Sequence, residues 1–205
     1  MFYQIAKQIV RVALWPFLWI HKSGVENIPA CGGVIIAMNH RSNWDVVVSG
    51  LACPRPLSFM AKRELFKNPV FGRLIRALNA FPVERGAADI KAIKTALGVL
   101  KAGGVLQLFP EGKRVGEGER VAAKTGVAML AHRGRVPVVP AAIVGHYGIF
   151  RHVYVSFGKP ILLDSYEGQK LDTDTMHKIS DDILEEIKKL EADMKKMLAN
   201  GSKMR

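Results

Sequence analysis

Short apolar runs at residues 34–38, 57–61, 80–83, 105–109, 136–144 and 152–157 alternate with longer stretches whose apolar residues recur at helical spacing. The runs are rich in Val, Ile, Leu and Phe and too short to be buried helices, so they read as strands. Between them, Ile90, Ile93, Leu97 and Leu100 share one helical face, with Lys91, Lys94 and Lys101 on the other. Phe71, Leu74, Ile75 and Leu78 line a second such face. Helices are expected over 69–78, 87–102, 124–132 and 174–199, the last with a solvated outer face. This alternation predicts an α/β fold: a mostly parallel central sheet flanked by helices. Pro137 and Pro140 place the run 136–144 at an edge or a bend.

Open α/β sheets form their sites where loops leave the carboxyl ends of the strands. Asn39-His40, Glu84-Arg85 and the loop Glu111 to Arg114 all follow predicted strands. In the first, His40 ends a strand, and Asp45 opens the next helix, which Asn43 or Asp45 is placed to cap. A carboxylate there can hold one imidazole nitrogen and leave the other to take a proton from a substrate. G-x-S-x-G is absent. The expected nucleophile is therefore the substrate's own hydroxyl.

Formal net charge is +12. Residues 1–163 carry 22 Lys and Arg against 8 Asp and Glu, and residues 164–205 carry 8 against 10, so the basic charge belongs to the body of the fold. A basic body suits nucleic acid, an anionic membrane or a phosphorylated substrate. Dispersed cations without a Lys/Arg-rich block disfavour nucleic acid. Cys31 and Cys53 form no C-x-x-C, and the histidines form no zinc array, so free thiols and no metal are expected. Gly116-Glu117-Gly118 fails the dinucleotide fingerprint at Val121, and Gly112-Lys113 fails the Walker pattern at Gln107.

Gln4, Lys7, Gln8 and Arg11 fall on one face of a helix predicted within residues 2–20, and residues 12–20 are apolar all round. Two charges and Pro16 argue against a membrane span. An interfacial helix fits, with Trp15, Phe17 and Trp19 as anchors. Residues 1–22 are thus read as a membrane-associating helix and 23–205 as the catalytic domain, including the C-terminal helix.

Four blocks together resemble the glycerolipid acyltransferase family, of the bacterial 1-acylglycerol-3-phosphate acyltransferase type. Asn39, His40 and Asp45 match N-H-x4-D, with Ser42 at a frequent serine position. Phe81-Pro82-Val83-Glu84-Arg85 looks like the second block, and Phe109, Pro110, Glu111, Gly112 and Arg114 match F-P-E-G-x-R. Lys124 and Gly126 resemble a following K-x-G, and Val136, Pro137 and Pro140 match V-P-x-x-P. Lys113 departs from the usual Thr or Ser. The resemblance implies fatty acyl transfer from acyl-CoA or an acyl carrier protein to the 2-hydroxyl of lysophosphatidate, with no bound cofactor. It implies a place on the cytoplasmic face of the cell membrane. His40 would be the general base and Asp45 its partner. Arg85 and Arg114, with Lys113 as a further cation, would hold the phosphate. Glu111 would meet glycerol hydroxyls or position Arg114, and amides near Gly112 would bind the oxyanion. The alternatives are the same chemistry on another lysophospholipid, glycerol 3-phosphate or an amino-acid lipid, or a non-catalytic basic membrane- or nucleic-acid-binding protein.

Overall fold

The structure is a computed structural model that describes residues 2–14, 16, 18–84, 89–116, 119 and 121–201. Seven strands form one sheet: β1 (Leu18–Ser23), β2 (Val34–Met38), β3 (Leu57–Lys62), β4 (Ala80–Val83), β5 (Val105–Leu108), β6 (Val138–Gly145) and β7 (Arg151–Phe157). Their order is β1-β7-β6-β2-β5-β3-β4. Every neighbouring pair is parallel except β6 and β7. All five residues of β2 are buried, as expected of a central parallel strand covered on both faces.

Six helices cover the sheet: α1 (Phe2–Leu14), α2 (Trp44–Ala52), α3 (Pro69–Ala77), α4 (Ile90–Lys101), α5 (Gly126–Gly134) and α6 (Thr173–Ala199). The pleat sends Ile35, Ala37 and Leu106 to one side, where they pack with Ala96 of α4, Leu130 of α5 and Ile183 and Ile187 of α6. Val34, Ile36 and Met38 point to the other side, against Val48 and Ala52 of α2. Phe59 and Ala61 of β3 continue that second side and meet Ile75 of α3.

Three expectations change. The first helix ends at Leu14, and Leu18–Ser23 joins the sheet beside β7, so a boundary at residue 22 would cut off an edge strand. Pro16 cannot continue a helix, and the next residues find a strand partner instead. Trp19 therefore stands on β1, exposed and edge-on to the ring of His152, and Trp15 and Phe17 lie outside the described residues. Second, of the edge and the bend that its prolines allowed, only the bend holds, because β6 is an interior strand. Its antiparallel register shifts by one residue between Val138↔Ile161 and Ala141↔Phe157. Pro140 sits opposite that bulge, and its carbonyl still accepts Gly158 N at 2.7 Å. Third, Phe71 and Leu74 of α3 are 45% and 46% exposed, and only Gly72 and Ile75 of that helix are buried.

Candidate active site

His40 lies two residues beyond the end of β2, and its Nδ1 lies 2.9 Å from Asp45 Oδ2. The turn between them is closed by the same carboxylate, which accepts the backbone N–H groups of Arg41 and Ser42 at 2.7 Å each. Asp45 is thus a hub for its own loop, and Asn43, at the N-cap, makes no side-chain cap bond. Burial pushes the Asp45 carboxyl up. Hydrogen bonds from His40, Ser42, Tyr147 and Arg41 outweigh that and hold it below its ordinary value. The imidazole lies flat on Phe109, ring centroids 3.9 Å apart and planes 15° from parallel. With Nδ1 held by a carboxylate and one face covered, Nε2 is the nitrogen available to a substrate proton.

The loop after β5 props the His40 backbone. Glu111 Oε2 accepts His40 N at 3.0 Å, and His40 O accepts Val115 N at 2.8 Å. Glu111 is buried and pushed up to about 7, chiefly by burial. Its carboxyl is turned inward to His40, and no Glu111–Arg114 ion pair appears among the described residues. Gly112 takes φ +69°, and a Cβ there would meet the Lys124 stem at 2.7 Å, so the Lys124 side chain crosses directly over the turn. Gly112 N is committed to Phe109 O at 2.9 Å, which removes it from the oxyanion donors. Arg114 and Lys113 are exposed, and Lys113 pairs with Glu119 at 2.6 Å. Arg41, Lys113, Arg114, Val115 and Gly116 line a cavity of about 420 Å³. Arg85 lies outside the described residues.

Asn39 fastens the end of β2 to β6. Its Oδ1 accepts Ile143 N at 2.8 Å, and its Nδ2 donates to Ile143 O at 3.0 Å and to Glu191 Oε2 at 3.2 Å. Ser42 Oγ accepts Trp44 N at 3.3 Å. Two partners escaped the sequence reading. Tyr147, after β6, donates its hydroxyl to Asp45 Oδ1. The strand-end rule that found His40 applies to it equally. Glu191 of α6 pairs with Arg41 and with Lys195 (2.9 Å) while accepting from Asn39. A helix read as charged packing gives no local sign of that contact. Tyr147 and Trp44, beside Asp45, line an apolar cavity of about 400 Å³ together with Leu14, Leu18, Gly148 and Ile149.

The family model described as Acyltransferase matches residues 20–144, which hold all four sequence blocks and the His40–Asp45 pair. The chain belongs to the acyltransferase family. Among its relatives in that family, a Bacillus subtilis protein named 1-acyl-sn-glycerol-3-phosphate acyltransferase is 39% identical over 121 residues, 58% of this chain and 60% of that protein. A Streptococcus pneumoniae protein of the same name is 31% identical over 204 residues, 95% of this chain and 75% of that protein. The fold is that of the crystal structure of the 1-acyl-sn-glycerophosphate (LPA) acyltransferase PlsC from Thermotoga maritima, with a TM-score of 0.69 at 24% identity over 93% of this chain and 80% of that one.

Proposed function

We propose that this acyltransferase moves a fatty acyl group from a thioester donor, acyl-CoA or acyl carrier protein, to the 2-hydroxyl of 1-acylglycerol 3-phosphate, giving phosphatidate. The observation that carries the reading is the setting of the His40–Asp45 pair. Arg41, next to His40, lines a basic cavity with Lys113 and Arg114, and Trp44, next to Asp45, lines a separate apolar cavity with Leu14 and Ile149. A lysophosphatidate carries a phosphate at one end and an acyl chain at the other, and these two cavities suit those two ends.

His40 Nε2 takes the hydroxyl proton as the oxygen attacks the thioester carbonyl, and Asp45 balances the imidazolium. Collapse of the tetrahedral centre expels the thiolate, which recovers the proton from His40. No acyl-enzyme intermediate is required. Guanidinium groups of Arg114 and Arg41 hold the phosphate, with Lys113 as a third cation, and Arg85 joins them in this reading.

The lipid is met at the bilayer surface. Helix α1 is fastened to the body by one edge of its polar face: Lys7 donates to Cys53 O, Arg11 to Leu51 O at 3.3 Å, and Tyr3 Oη accepts Leu57 N at 3.2 Å. Its apolar row faces out, with Ile5, Ile9 and Val12 exposed by 53%, 63% and 73%. That stripe suits an interfacial helix on the cytoplasmic leaflet. No described helix is long and apolar enough to cross a membrane.

Acyl transfer by purified protein tests the reading. Lysophosphatidate, lysophosphatidylglycerol and glycerol 3-phosphate are offered with long-chain acyl-CoA and with acylated carrier protein. Phosphatidate formation that falls by about 10²–10⁴-fold in His40→Ala is expected. Product from a different acceptor alone would replace lysophosphatidate, and full turnover by His40→Ala would end the mechanism.

A further inference from the structure

We infer that residues 62–77, from the end of β3 through α3, form a second membrane-docking surface, and that α1 and α3 together seat one face of the sheet on an anionic bilayer. The inference rests on the membrane reading of α1 and adds a contact to it.

Helix α3 is amphipathic, yet little of it is used for packing. Asn68 caps it, accepting Val70 N and Phe71 N, and Pro69 starts it, so the helix is locally well defined. Gly72 allows it to lie against the preceding turn, because a Cβ there would meet Phe66 O at 2.9 Å. Gly72 and Ile75 make its buried side. Val70, Phe71 and Leu74, at 79%, 45% and 46% exposure, fall within an arc of about 100° at 3.6 residues per turn. Leu65, in the turn before it, is exposed as well.

The charge around this patch selects its partner. Lys62, Arg63, Lys67, Arg73 and Arg76 are all exposed, against Glu64 as the single acid in the segment. Arg63 pairs with Glu84 at 2.6 Å, and the Arg76 guanidinium lies over the Phe66 ring, 4.9 Å from its centroid. Exposed apolar side chains among cations suit a surface of anionic lipid headgroups over acyl chains.

Placement supplies the second argument. Leu57, Phe59 and Ala61 alternate to one side of β3. On that side α2 packs beside Leu57, α1 hydrogen-bonds to Leu57 and to Cys53 at the end of α2, and Ile75 of α3 packs on Ala61. The outward stripes of α1 and α3 therefore belong to the same face of the sheet. A single interfacial helix leaves the body free to roll about the helix axis. A second contact removes that freedom. Residues 63–77 leave the carboxyl end of β3, the end of the parallel sheet at which His40 sits, so docking there turns the site toward the lipid.

The test is partition of the full chain onto vesicles of phosphatidylglycerol and phosphatidylcholine, followed by co-sedimentation. Three forms are compared: the parent, an α3 variant (Val70→Ser, Phe71→Ser, Leu74→Ser) and an α1 variant (Ile5→Ser, Ile9→Ser, Val12→Ser). All six positions are exposed, and unchanged circular dichroism and melting confirm the fold. The α3 variant is expected to partition about tenfold more weakly than the parent. A polarity-sensitive fluorophore on Val70→Cys, with exposed Cys31→Ser and buried Cys53 retained, is expected to shift to the blue on these vesicles. If the α3 variant partitions like the parent, or the Val70 probe does not shift while the α1 variant loses binding, this inference is overturned and the α1 reading stands. A parent that does not partition overturns both. Neither readout depends on acyl transfer, so a wrong acceptor leaves the test intact.

Discussion

Helices α1 and α6 are both amphipathic, and they are mounted in opposite senses. Helix α6 buries Ile179, Ile183, Leu184, Ile187 and Met194 and, Glu191 apart, turns its lysines and glutamates to water. Helix α1 hands Tyr3, Lys7 and Arg11 to the body as hydrogen-bonding groups and presents Ile5, Ile9 and Val12 outward. Burial even lowers the Lys7 ammonium from its usual value. A hydrophobic stripe thus reports that a helix has two different neighbours without reporting which is the protein. The candidate active site touches both environments. On the α6 side Glu191 holds Asn39 and Arg41 in an ionic network, and on the α1 side Leu14 and Leu18 help wall an apolar cavity.

The contrast is most exposed at Ile187, which is fully buried. Ile187→Ala is expected to cost about 2–5 kcal/mol of unfolding free energy, measured by chemical denaturation. A loss under about 1 kcal/mol would mean that α6 is not mounted by its stripe. Next in size is Tyr147→Phe, which deletes the donor to Asp45 Oδ1 from the wall of the apolar cavity. Hydrogen bonds to charged groups contribute about 1.5–3 kcal/mol, so a fall in kcat of about tenfold or more is expected. Burial and the adjacent Asp45 charge raise the Tyr147 hydroxyl well above its ordinary value, which keeps it a neutral donor across the assay range. A parent-like kcat and acid limb would reduce Tyr147 to cavity wall.

On the ionic side, Glu111 carries a pH signature. Its folded value of about 7 exceeds the ordinary carboxyl value of about 4.3, so its stabilising contribution is complete below the lower value and is lost as pH rises through about 7. Asp45, held low, has the opposite sign and loses its contribution as pH falls. Glu111→Gln keeps an oxygen for His40 N and removes the titration. Melting profiles should show the variant lacking the parent's decline between about pH 4.5 and 7 and more stable above it. Identical profiles would place the Glu111 carboxyl at an ordinary value. The smallest effect on stability belongs to Val12→Ser, expected within about 0.5 kcal/mol of the parent because the residue faces outward. A loss of 2 kcal/mol there would show that the α1 stripe is packed on protein and would erase the contrast with α6.

Local sequence made the sheet and the His40–Asp45 pair legible. β2 is five consecutive apolar residues, and His40 and Asp45 are separated by a turn too short to send them apart. The third block was legible as a loop for the same reason. Its inner workings were not: Glu111 faces the His40 amide across 71 residues of sequence, and Gly112 spends its amide on its own turn. Of the edge and the bend that Pro140 allowed, β6 takes the bend, because a bulge lets an interior strand carry a proline.

By itself, then, the sequence determined what depends on neighbours along the chain: the alternation of strands and helices, the His40–Asp45 turn and the existence of amphipathic helices. Tertiary structure alone decided what depends on neighbours in space. Tyr147 reaches Asp45 across 102 residues, Glu191 reaches Asn39 across 152, and the two faces of α1 and α3 took their direction from what packed beneath them. Periodicity is written in the spacing of side chains, whereas orientation and long-range hydrogen bonds arise only when the sheet brings its strand ends together.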